Sequence, residues 1–212
     1  MERTTVEEAK KLFGHNFIGK NELLPLFEKL NLFDFNKVEI PAINYSFEEL
    51  NKYSKDYILI LGVSSIQNTK ITIKLLKDIF GFDPDVFDPC FYNQDWYLKE
   101  DFINETLEDK WYLIKKVVYE ETRAELPENI FSNQHIKFPT AILCTYVFFA
   151  YYLYYNKILW ANDFVWCSNQ DHNGDRIYVG KYYDIDKINK NGFSIHRYLS
   201  LRQCYAGIDY IG

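Results

Sequence analysis

The stretch Leu159-Trp-Ala-Asn-Asp-Phe-Val-Trp-Cys-Ser-Asn-Gln-Asp-His-Asn-Gly-Asp-Arg-Ile-Tyr-Val-Gly-Lys-Tyr182, followed by Asn191-Gly-Phe-Ser-Ile-His-Arg-Tyr-Leu-Ser-Leu-Arg202, decides how the chain is read. β-Branched and aromatic residues crowd positions 164–168 and 176–182, a composition that fits a pleated, half-buried surface. Asn173-Gly174 between them is a strong hairpin signal, because a two-residue turn asks for positive φ at both central residues. A third β-prone run begins at Gly192, after a polar loop. These runs predict a β-rich C-terminal region, and they carry no catalytic constellation.

Upstream, the patterns turn helical. Thr5-Val-Glu-Glu8 has the form of a capping box and Gly14 is a natural stop, so a helix is predicted over about 6–13. Leu23, Leu26, Phe27 and Leu30 share one face of a second helix over about 22–30, in which Pro25 fits only within the first turn. Ser46-Phe-Glu-Glu49 is another capping box, opening a helix to about Tyr53. Tyr57-Ile-Leu-Ile-Leu-Gly-Val63 has the length of a buried strand. Ile73, Leu76, Ile79 and Phe80 point inward from a helix over about 72–80, stopped by Gly81. One strand–helix unit does not make a doubly wound sheet, and Gly62 opens no phosphate-cradling glycine loop. The proline-punctuated run Asp83-Pro-Asp-Val-Phe-Asp-Pro89 is the natural boundary. It separates a helical N-terminal part (1–88), holding the one strand–helix unit, from residues 89–212. A helix is predicted over about 101–108 and a strand over 111–119.

The uncharged run from Pro139 to Tyr155 is near the lower limit for a membrane span, which needs roughly 20 residues. Its five Tyr and two Thr make it a poor hydrocarbon helix. It reads as a core helix with Pro139 at its first position, so no membrane partner is expected. With 48% apolar residues, the 212-residue chain can build a core without staples. A net charge of −6 makes a nucleic-acid partner unlikely. The charge is uneven: residues 176–202 hold six Lys or Arg against two Asp, which suits an acidic ligand or a solvated face. Cys90, Cys144, Cys167 and Cys204 form no Cys-x-x-Cys pair and read as buried free thiols of a cytoplasmic protein. The N-terminus shows no signal-peptide pattern.

Candidate chemistry is sparse. Asn169, Asp171, Asn173 and Gly174 have the spacing of the front half of a calcium loop, but position twelve, where a bidentate Glu belongs, is Gly180. A hairpin turn is the better reading. The same hairpin looks like the opening of GIY-YIG nucleases, yet no downstream Glu exists to hold their metal ion. His172 and His196, with Cys167 and Cys204 outside them, match no zinc spacing. Asp95, Glu100 and Asp101 have the chemistry for acid–base work. No motif asks for a cofactor.

Two blocks resemble an uncharacterised bacterial protein family frequent in reduced-genome lineages. One is Phe91-Tyr-Asn-Gln-Asp-Trp-Tyr with Trp111-Tyr-Leu-Ile-Lys-Lys; the other is Phe138-Pro-Thr-Ala with the aromatic helix and the hairpin after it. The chain's end, Trp166-Cys-Ser leading to Gly192-Phe-Ser-Ile-His-Arg197, is similar to bacterial C-type-lectin-like domains related to the formylglycine-generating-enzyme fold. That group includes the variable proteins of diversity-generating retroelements. The chain lacks the group's Trp-Asp-Asp ending and its paired cysteines. The resemblance implies an α+β protein, a helical N-terminal part followed by a C-type-lectin-like β-rich C-terminal domain. It also implies a binding face at Asn189, Asn191, Ser194, His196, Tyr198, Ser200 and Tyr205, to which Arg197 adds a suitable contact group. The expectation is a non-enzymatic recognition module for an unknown protein or small-molecule ligand. The rival is an enzyme using Asp95 or His172 in a cleft between the two parts.

Overall fold

A helix that is apolar on every side has to be surrounded. In the computed structural model, which describes residues 3–134, 136–182 and 191–212, that requirement organises the molecule. The chain is mixed α and β. The described helices are α1 (Val6–Phe13), α2 (Lys20–Lys29), α3 (Phe47–Tyr53), α4 (Ile73–Phe80), α5 (Pro127–Gln134) and α6 (Ala141–Tyr155). The strands are β1 (Phe17–Ile18), β2 (Tyr57–Leu61), β3 (Ser65–Ile66), β4 (Thr69–Lys70), β5 (Trp111–Lys115), β6 (Phe164–Gln170), β7 (Arg176–Tyr182), β8 (Gly192–Arg197), β9 (Tyr205–Ala206) and β10 (Tyr210–Ile211). Every residue of α6 from Ala141 to Tyr151 is buried. The helix packs on α2 and α4 on one side and on β6 and β7 on the other. Phe149 stacks on Phe80 at 4.1 Å and on Phe91 at 5.0 Å, and Phe148 meets Phe193 at 4.6 Å. No described helix is long and apolar enough to cross a membrane.

Two four-stranded sheets flank this core. The first runs β1-β2-β5-β10, with β1 parallel to β2 and the other pairs antiparallel. The second runs β8-β7-β6-β9, antiparallel except for β6 and β9. β3 and β4 form a separate small hairpin. The first sheet takes strands from both sides of the 83–89 connection, and one apolar cluster extends from Ala9 to Ile208. The N-terminal helices and the C-terminal sheet therefore share a core.

Local rules explain most elements. Both capping boxes form: Thr5 Oγ1 accepts the Glu8 N–H at 3.2 Å while Glu8 accepts the Thr5 N–H at 2.9 Å, and Ser46 and Glu49 repeat the arrangement. Thr72 caps α4. Some expectations are corrected. α2 begins at Lys20, capped by Glu22 reaching back to the Gly19 N–H at 3.0 Å, so Pro25 falls inside the helix rather than in its first turn. Pro139 lies two residues before α6: Thr140 is the cap, and the Pro139 carbonyl accepts the Ser168 N–H at 2.9 Å. Over 101–108 a 3-10 turn, Asp101–Asn104, stands in place of the expected helix, and a second 3-10 turn, Trp96–Lys99, precedes it. Glu100 sits between them in extended conformation with its side chain buried. Strand pairing in the 111–119 run ends at Lys115.

Candidate functional site

The second sheet alternates strictly, as a pleated strand must. Val165, Cys167, Ile177, Val179, Phe193 and Ile195 belong to the core that surrounds α6. Their neighbours Trp166 and Tyr178 point the other way, into a second cluster with Ile130, Ile136, Phe138 and Tyr205. That outer face was expected to be an open binding platform; Ile130 of α5 and Ile136 and Phe138 of the segment after it pack over its Trp166 and Tyr178. Ser194 is fully buried, its hydroxyl donating to the Gly180 carbonyl at 3.4 Å. Tyr205 is buried with its hydroxyl 3.0 Å from that of Tyr178. In the fold both side chains are packing groups. His196 is half-buried, stacked on Tyr178 at 5.4 Å, with Gln94 Nε2 3.0 Å from its Nδ1. Burial, with some help from Arg202, pushes its imidazole down to about 4. Tyr198 packs edge-on against Trp166, Asn191 is half-buried, and Ser200 is exposed. Asn189 lies outside the described residues.

The hairpin between β6 and β7 differs from expectation. Gly174 alone has positive φ, +85°, and Asn173 does not. Asp171 explains this: its carbonyl accepts the Gly174 N–H, and its Oδ1 accepts the N–H groups of Asn173 and Asp175, each at 2.9 Å. The result is a type I turn closed by a left-handed glycine, the usual three-residue solution. Asn169 takes no part in any calcium loop. Its Oδ1 accepts the Ala141 N–H and its Nδ2 donates to Glu105.

The folded hairpin brings together three groups that the sequence scatters. Glu100, Asp171 and His172 each offer one ligand atom, all within 4.8 Å of one another. Glu100 accepts from the His172 backbone N–H at 2.9 Å and lies 2.6 Å from Nδ1, and this bond raises the His172 pKa. Arg197 donates to Asp171 Oδ2 at 3.3 Å and sits over the Trp96 ring at 5.5 Å. The donor types would suit a divalent cation, but both carboxylates already have partners. Cys167 faces the α6 core while His196 lies on the other face of the sheet, so the four-residue zinc set does not converge. Asp95 is exposed at the start of a 3-10 turn and caps nothing.

A cavity of about 460 Å³ lies elsewhere, where the two sheets approach each other. The strap from Lys137 to Pro139 spans them: the Tyr210 N–H of β10 donates to the Lys137 carbonyl, and the Ser168 N–H of β6 donates to Pro139. Phe131, Ile136, Phe138 and Tyr210 supply apolar wall. Lys137 and Arg176 bring two cations and Ser168 a polar residue. Lys137 Nζ sits 4.7 Å from the Tyr210 ring centroid, and the Arg176 guanidinium 5.8 Å from that of Phe138. Arg176 Nη1 donates to the Cys167 and Ser168 carbonyls at 3.4 and 3.2 Å. Sequence reasoning missed this constellation. Its members come from α5, the strap, two strands and the chain's end, and the only early hint was the basic balance after Arg176.

Comparison with protein-family models, curated proteins and solved structures returned no match.

Proposed function

We propose that the protein is a recognition module that holds a small molecule in the cavity between the two sheets. The observation that carries this reading is the cavity itself. Its volume of about 460 Å³ falls within the range of small-molecule sites, and its aromatic walls and two cations fit the usual division between apolar body and a few orienting polar groups. The C-type-lectin-like resemblance of residues 90–205 is part of the same proposal. It is supported by the three-stranded antiparallel ribbon β6-β7-β8 and the aromatic cluster around Trp166. On this reading the recognition surface is displaced from the 191–205 residues to the joint where β6, β7 and β10 meet the strap.

A screen of small-molecule fragments followed by amide and side-chain NMR tests it. Shifts concentrated at Ile136, Phe138, Arg176 and Tyr210 are the expected result. Hits that perturb only residues around His172 would move the function to the Glu100 cluster.

A further inference from the structure

We infer that the cavity's ligand is an aryl-substituted monocarboxylate, and that Glu128 occupies the carboxylate's place in the empty protein. The inference rests on the cavity being a binding site. The Arg176 side chain is only 16% exposed. One of its terminal nitrogens serves two backbone carbonyls, while buried Nε has no hydrogen-bond partner among the described residues. A buried charged donor left unsatisfied is costly, and a carboxylate is the acceptor that matches a guanidinium edge in geometry and charge. Glu128 Oε1 stands 3.6 Å from Nε, too far for a hydrogen bond, on a side chain that is 61% exposed. It screens the cation without satisfying it, and it can swing into solvent at small cost. Lys137 supplies a second positive charge to the same space. Anchored there, the rest of the ligand lies against Phe131, Phe138 and Tyr210, surfaces that favour a ring. A bare inorganic anion would leave those walls unused, and a neutral aromatic would leave Nε unpaired.

The test titrates the full chain with benzoate, phenylacetate and indole-3-acetate, with their amides, and with inorganic phosphate, followed by NMR. Carboxylates should bind at least about tenfold more tightly than their amides, since an acceptor of full charge is lost. Glu128→Gln should tighten carboxylate binding about threefold or more by removing the internal competitor, and leave amide binding unchanged. Lys137→Glu, at an exposed position that leaves folding intact, should weaken carboxylates selectively; Arg176→Lys should weaken them further if the variant folds. Amides binding as well as acids, or Glu128→Gln weakening the acids, overturns the carboxylate assignment while leaving the cavity as a binding site. Phosphate binding as tightly as the aryl acids overturns the role of the ring. No response of Ile136, Phe138 or Tyr210 to any probe overturns the cavity reading and this one together.

Discussion

Acid should destabilise this protein through His196 well before its carboxylates begin to protonate. The imidazole is packed against Tyr178 and meets Phe164 edge-on, and Gln94 Nε2 lies 3.0 Å from Nδ1. The same amide nitrogen lies 3.3 Å from Nε2, so its N–H can be accepted by whichever ring nitrogen of the neutral imidazole is unprotonated. Burial and the nearby Arg202 charge both oppose protonation, placing the group at about 4 in the folded state against an ordinary 6.5. The unfolded chain therefore takes up a proton that the folded chain refuses. Stability contributed by neutral His196 is complete above about pH 6.5 and is lost as pH falls toward 4. Each tenfold change in proton affinity is worth about 1.4 kcal/mol, so the loss is about 2 kcal/mol by pH 5 and approaches about 3 kcal/mol near pH 4. Urea unfolding at several pH values between 7.5 and 4.5 measures it, with His196→Gln as the non-titrating control. Gln94→Glu sharpens the test, because a carboxylate beside Nδ1 should raise the imidazole pKa and flatten the acid limb. An acid limb equally steep in wild type and His196→Gln would refute the reasoning, as would an NMR titration showing His196 protonated at pH 6.

Three further outcomes are expected. His172 has the opposite sign: Glu100 raises its pKa, so its contribution is complete below about 6.5 and is lost as pH rises through the folded value. His172→Gln should remove that alkaline decline, measured in the same unfolding series. Gly174→Ala should cost about 1 kcal/mol in thermal or chemical unfolding, because a φ of +85° strains any side chain. Phe149→Ala should cost about 3–5 kcal/mol, since its ring is fully buried between Phe80 and Phe91.

What the sequence made legible depended on how local the governing interaction was. Thr5 with Glu8, Ser46 with Glu49, and the apolar face of α4 close within one or two turns, and their elements stand where local rules put them. The apolar run of α6 announced its own burial. Beside the expected 101–108 helix, Glu100 accepts the N–H of His172, 72 residues away, a pairing that no local pattern encodes. The expected binding face shows a related limit. Alternation along β8 correctly separates Phe193 and Ile195 from Ser194 and His196, but it cannot say whether the second set meets solvent or another layer. In this chain the second layer exists because Ile130, Ile136 and Phe138, 28 to 48 residues upstream, return to cover Trp166 and Tyr178. The same return carries Lys137 alongside Arg176 and Tyr210. Covering the sheet and opening the cavity are thus two results of one packing event, which is why the cavity was invisible to the reading that expected the face to be bare.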